Sequence, residues 1–243
     1  MLFYRLFGSP EKQLLVFLHG FLGSHLDFLP LIEDLEKDFF CLAIDLPAHG
    51  QSSYESPTLK RIKDTIAFFK QKPILIGYSM GGRIALELRD SLEALAVIVL
   101  SSHLGLSSLE EQKKKWKEDL LWEKKLISLA PKDFLKLWYN QPIFSSLAKN
   151  TLLLEKTLTN RLYKNPKELS LLLKEMSLAK RPRPSIDPCS TYFLFGENDA
   201  KYKALYRNLP ASYKVDGVEK AGHALLLENP KKCSELISAY LLK

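Results

Sequence analysis

An apolar run, Pro73-Ile74-Leu75-Ile76, leads without a break into Gly77-Tyr78-Ser79-Met80-Gly81-Gly82-Arg83. The run reads as a buried strand and the stretch beyond it as a helix, so the pentad between them must turn sharply. A G-x-S-x-G pentad in that setting predicts a nucleophile elbow, with Ser79 at the top of a sheet and its hydroxyl exposed. Glycines flank the serine because a Cβ there would collide where backbone passes close by. The segments around it repeat the alternation of short apolar and amphipathic runs. Leu14–Leu18, Phe39–Ile44 and Ala96–Leu100 read as strands. Phe28–Glu36, Leu59–Lys70 and Arg83–Arg89 read as helices, with Ile62, Ile66 and Phe69 near helical spacing. Near-continuous apolar strands between helices predict an α/β fold, a mostly parallel sheet covered on both faces.

From Ser107 to about Lys180 the strand signals vanish. The segment is rich in Leu, Lys and Glu, is punctuated by Pro131, Pro142 and Pro166, and predicts four or so helices laid over the sheet. The strand–helix pattern resumes at Thr191–Phe195, with a last strand near Tyr213–Val218 and a closing helix over Pro230–Leu242. The expected organisation is an α/β core of residues 1–106 and 184–243, split by a helical cap over 107–183. The charge follows that division. Of the net +7, Ser107–Arg183 carries 17 Lys+Arg against 9 Asp+Glu, and the remainder is −1. A basic insertion is either a solvated helical face or an attractor for an anionic small-molecule substrate or an acidic acyl carrier.

Other partners are disfavoured. There is no aromatic-interleaved RNA motif and no recognition-helix signature. No apolar run approaches the roughly 20 residues of a membrane span. Met1–Glu11 lacks a charged segment followed by an apolar one, which argues against export. Cys41, Cys189 and Cys233 are odd in number, widely spaced and without zinc spacing. Cys41 and Cys189 lie in or beside apolar runs and read as inert core thiols, which fits a reducing, cytoplasmic setting.

A serine hydroxyl is a poor base or nucleophile near neutral pH. It needs an imidazole to take its proton and a carboxylate to fix that imidazole's tautomer. Asp199 follows the apolar run in Phe195-Gly196-Glu197-Asn198-Asp199, and His223 follows the next one in Ala221-Gly222-His223. Both loops are then expected at the C-terminal ends of parallel strands, where open α/β sheets carry their sites. Glu197 is the local rival of Asp199; Asp187 precedes its strand and is at the wrong end. His19 reads as a packed loop histidine and His49 as a structural one. His25, His49 and His103 are weaker candidates for the base. Two backbone N–H groups, those of Met80 and Phe21, are expected to form an oxyanion hole.

These residues carry a family resemblance over nearly the whole chain. The sequence resembles the α/β-hydrolase superfamily and, within it, the 2-succinyl-6-hydroxy-2,4-cyclohexadiene-1-carboxylate synthases of menaquinone biosynthesis. The matching pieces are Phe17–Gly23, Asp45–Gly50, Gly77–Arg83, Trp138–Phe144, Gly196–Tyr202, and Ala221–His223 with Glu228–Pro230. The resemblance implies the α/β-hydrolase fold with an inserted helical cap, used for a lyase reaction. Pyruvate is eliminated from an enolpyruvyl cyclohexene carboxylate, without metal or organic cofactor. It implies Ser79, His223 and Asp199 as the catalytic set. Phe21 and Met80 would hold the oxyanion. Tyr78, Arg83, Lys115, Trp138 and Arg161 would meet the substrate. Three features depart from the pattern: Gln112-Lys113-Lys114-Lys115-Trp116 lacks the usual arginine, Ala48 stands where glycine is usual, and Leu225-Leu226-Leu227 is unusually apolar. They leave open a carboxyl-ester hydrolase acting on a small or carrier-bound ester, and a non-catalytic binding module on the same fold.

Overall fold

Strands buried at every position must be covered on both faces, and five here contain no exposed residue: β2 (Leu14–Leu18), β3 (Phe40–Ile44), β4 (Ile74–Tyr78), β5 (Ala96–Leu100) and β6 (Thr191–Gly196). The computed structural model describes residues 1–161, 163 and 165–242. The five strands form the centre of a seven-stranded sheet in the order β1-β3-β2-β4-β5-β6-β7. The edges are β1 (Tyr4–Phe7), antiparallel to β3, and β7 (Lys214–Val218), parallel to β6. Both edges mix exposed and part-buried residues, as edges must. The expected α/β architecture is borne out.

Helices cover both faces. On one lie α2 (Thr58–Ala67), α3 (Met80–Leu88) and α9 (Ala200–Arg207), burying Ile62, Ile66, Ile84, Ala85 and Tyr206. On the other lie α1 (Leu29–Leu35) and α11 (Pro230–Leu241), burying Leu31, Ile32, Leu35, Cys233 and Ile237. Between β5 and β6 the chain forms α4 (Leu109–Ser128), α5 (Pro131–Tyr139), α6 (Ser145–Ala148), α7 (Thr151–Asn160) and α8 (Pro166–Glu175). The start of α4 is fixed chemically: the Ser108 hydroxyl accepts the Glu111 N–H while the Glu111 carboxylate accepts the Ser108 N–H. These helices share a core of their own, with Leu126, Phe134, Leu135, Leu147 and Leu169 packed against Leu22 and Ala224. Each leucine buried there stabilises by roughly 1.5–3 kcal/mol. That cluster seats the helices over the loops that follow β2 and β7.

The structure amends the expectations in four places. The strand β1 was not anticipated, α3 begins at Met80 rather than Arg83, and a helical turn, α10, spans Leu225–Glu228. Cys189 is exposed, because the turn before β6 carries it outward; Cys41 and Cys233 are buried. Burial pushes both buried thiols up to about 12, so they stay protonated. Among the described residues no helix is long and apolar enough to cross a membrane, and no cluster of His, Cys, Asp and Glu is arranged to hold a metal.

Candidate active site

The turn between β4 and α3 is held under strain. Ser79 has φ 51° and ψ −111°, in the region that disfavours a side chain, and such outliers persist only where the surroundings impose them. The Ser79 N–H donates to the Leu100 carbonyl at 2.9 Å, and the Ser79 carbonyl accepts the Ser102 hydroxyl at 2.6 Å. A Cβ on Gly81 would lie 1.9 Å from the Leu18 carbonyl oxygen, so only glycine lets α3 start this close to β2.

Two loops bring groups to this serine from 120 and more residues away. The Ser79 Oγ lies 3.2 Å from His223 Nε2, and His223 Nδ1 lies 3.1 Å from Asp199 Oδ2. A carboxylate oxygen accepts, so the proton belongs on Nδ1 and leaves Nε2 to accept from the serine hydroxyl. Asp199 also caps α9, its Oδ1 accepting the Tyr202 N–H at 3.1 Å. The imidazole is walled by rings: Tyr202 stacks on it at 5.1 Å, Tyr78 is tilted against it at 5.4 Å and Phe144 meets it edge-on at 5.6 Å. Glu197 turns away to pair with Lys203 and Arg207. Asp187 binds Arg89 and Ser190 at the opposite end of β6.

Two adjoining cavities, of about 180 and 140 Å³, open on Ser79 and share Phe21, Trp138 and Tyr202. Among the described residues neither the Phe21 nor the Met80 amide donates a hydrogen bond, so both N–H groups are free. Arg83, Lys115, Lys201 and His103 line the larger one; Tyr78, Phe144, Arg161 and His223 line the smaller. Burial holds the Tyr78 hydroxyl well above its ordinary pKa, so it remains a donor. Arg83 donates to the Met176 carbonyl at 2.8 Å and has no carboxylate partner among the described residues; neither has Lys201. Lys115 is captured by Asp119, which also accepts the Ser177 hydroxyl at 2.6 Å. Lys201 was missed in the sequence, although it stands two residues past Asp199 in the first turn of α9.

Arg161 is buried with its Nη1 at 2.7 and 2.8 Å from the two Asp27 oxygens, and its Nε donates to the Tyr139 hydroxyl at 2.6 Å. Burial opposes its charge, but Asp27 together with the Tyr139 and Tyr78 hydroxyls holds its pKa above the ordinary value. Asp27→Ala would leave this cation buried and unpaired, and should cost about 3–5 kcal/mol of stability in urea denaturation. A cost below about 1 kcal/mol would mean the pair is not desolvated.

The remaining histidines lie apart from the serine. His19 and His49 are buried supports of the loops after β2 and β3. His25 pairs with Asp45 at 2.7 Å beside a separate cavity of about 460 Å³, which among the described residues shares only Arg161 with the lining of the serine site.

The family model described as "Alpha/beta hydrolase family" matches residues 15–236. An Escherichia coli protein named 2-succinyl-6-hydroxy-2,4-cyclohexadiene-1-carboxylate synthase is 32% identical over 237 residues, covering 92% of this chain and 91% of its own. Among solved structures, MenH from S. aureus superposes with a TM-score of 0.89 at 23% identity, over 98% of this chain and 97% of its own. A thermophilic esterase from Thermogutta terrifontis superposes with a TM-score of 0.80 at 20% identity, over 99% and 93%. At those identities the two structures speak for the fold.

Proposed function

From membership of the alpha/beta hydrolase family, to which this chain belongs, we propose that the enzyme is a lyase eliminating pyruvate from an enolpyruvyl cyclohexene carboxylate. The observation that carries it is the wall beside Ser79, where Arg83 and Lys201 stand without carboxylate partners. Unpaired cations in a cleft suit a substrate with several carboxylates, and a guanidinium suits one best because its donors form a planar fork. A neutral ester has no use for them.

In the proposed reaction Ser79 Oγ takes the proton α to the substrate carbonyl while its own proton passes to His223 Nε2. Asp199 holds the imidazole in the accepting tautomer and stabilises its charge. The electron pair left on carbon moves onto the carbonyl oxygen, which the Phe21 and Met80 amides receive. As it returns, a C=C bond forms and the C–O bond to the enolpyruvyl group breaks. The proton on His223 goes to the departing group, which leaves as pyruvate. Tyr78, Arg83 and Lys201 orient the carboxylates, Arg161 offers only the guanidinium N–H groups left over from Asp27, Leu22 and Tyr139, and Trp138 walls the ring. Lys115 has its charge offset by Asp119 and offers the substrate only its remaining N–H groups.

The test is a paired assay of the purified protein, pyruvate release from freshly generated enolpyruvyl substrate against cleavage of p-nitrophenyl butyrate. Rapid pyruvate release with negligible ester cleavage is expected; ester cleavage alone would make the protein a carboxylesterase. Arg83→Ala should lower kcat/KM for elimination about 10–100-fold, the worth of a charged hydrogen bond, and leave any butyrate cleavage within threefold. Equal losses on both substrates would remove Arg83 from carboxylate binding.

A further inference from the structure

One imidazole in the Ser79 cavity takes no part in the proton relay. His103 sits three residues past β5 on a loop fastened at every step. Ser101 adopts φ 43° and donates its N–H to the Leu194 carbonyl at 2.9 Å. Ser102 donates its N–H to the Tyr206 hydroxyl oxygen at 2.6 Å, accepts that hydroxyl at its carbonyl at 2.7 Å, and binds the elbow through its own hydroxyl. Gly105 has φ 100°, and a Cβ there would lie 2.8 Å from Arg183. A loop carrying two positive-φ residues and tied to the catalytic turn is built to hold something in place.

What it holds is an N–H of defined direction. The Gly105 N–H donates to His103 Nδ1 at 3.1 Å, so the ring proton of the neutral imidazole belongs on Nε2. Among the described residues Nε2 has no protein partner. The charged groups around the ring are Arg83 of α3, Glu111, Lys115 and Asp119 of α4, Lys201 of α9, and Arg183. Burial, then Lys201 and Arg83, hold the imidazole pKa down to about 4, so His103 is uncharged near neutral pH.

We propose that His103 is a specificity-determining residue, its Nε2–H donating a hydrogen bond to a carboxylate oxygen of the bound substrate beside Arg83 and Lys201. This rests on the anionic-substrate half of the proposed function and not on the elimination chemistry. Lysine and arginine attract any anion at a distance. A neutral donor on a fixed loop adds a short-range, directional bond, and so selects where the carboxylate sits.

The experiment uses the full chain labelled with ¹⁵N-histidine and titrated with succinate. The His103 imidazole signal should move saturably. His103→Leu should weaken succinate binding at least about 10-fold, as expected for loss of a hydrogen bond to a charged group. His103→Gln, whose amide N–H reaches the same side, should stay within about threefold of the parent; a purely structural role would give no such rescue. A static His103 signal, no saturable binding, or equal affinity in the Leu variant overturns the proposal. If the Leu variant does not fold, the titration of the parent protein decides. Failure to release pyruvate would sink the lyase assignment and leave this titration to be judged alone.

Discussion

Replacing Ser79 by alanine should lower kcat for pyruvate release by about 10⁴–10⁶, with KM changed only a few-fold. The serine oxygen, at 3.2 Å from His223, is the proposed base, while the side chains proposed to bind carboxylates are distinct from that hydroxyl and keep their positions. A relay of hydrogen-bonded groups acts as a unit. His223→Ala should therefore cost about as much, and the double variant little more. Asp199→Asn should retain the ring's packing between Tyr202 and Tyr78 but lose control of the tautomer, a loss of about 10⁴. Activity should persist at the level that oriented binding and the two free amides alone supply. A Ser79→Ala loss under tenfold would sink the proposed mechanism and turn attention to a base elsewhere.

How much of this was visible in the chain depends on the range of each interaction. The sheet was legible because parallel strands advertise themselves: Leu14–Leu18 or Ala96–Leu100 has no polar position to mistake. The edge strand β1 was not, since Tyr-Arg-Leu-Phe is short, half exposed and paired on one side alone, with Cys41–Ile44. Ser79, Asp199 and His223 each follow a strand signal, so their shared end of the sheet could be read before any geometry. Side-chain pairing could not. Arg161 and Asp27 are 134 residues apart, and nothing local to either marks the other. Lys115 and Asp119 are one helical turn apart, which the i, i+4 spacing could have flagged; the family resemblance placed Lys115 against the substrate instead. Cys189 misled for the opposite reason. An apolar neighbourhood in sequence became an outward turn, because the chain must reverse before entering β6.

Acid should unfold this protein through two histidines that the proposed chemistry never uses. His19 donates from Nδ1 to the Gly20 carbonyl at 2.7 Å and accepts the Leu46 N–H at Nε2 at 2.9 Å. His49 donates to the Pro47 carbonyl at 2.9 Å and accepts the Leu22 N–H at 2.9 Å, its ring edge-on to His19 at 4.9 Å. Both rings are buried and both need an unprotonated Nε2. Burial pulls His19 down to about 4; burial and then the His19 ring pull His49 down to about 3. In the unfolded chain each takes a proton near pH 6.5. Below that pH the unfolded state therefore binds more protons than the folded one, and stability falls as pH falls. The contribution is complete above pH 6.5, shrinks from there toward pH 4 for His19 and pH 3 for His49, and levels off below. At about 1.4 kcal/mol per pH unit per group, the pair should lose about 6 kcal/mol between pH 6.5 and pH 4. His103, also held to about 4, acts in the same direction. Denaturation midpoints in urea at pH 7, 5.5 and 4.5 measure the slope, and His49→Gln, which keeps an amide acceptor but cannot titrate, should flatten it. Unchanged stability between pH 7 and 4.5 would show that these imidazoles are reached by water. The consequence for the site is direct: the Leu22 N–H that His49 holds is one peptide from the Phe21 amide, so the proposed oxyanion hole should loosen before the sheet does.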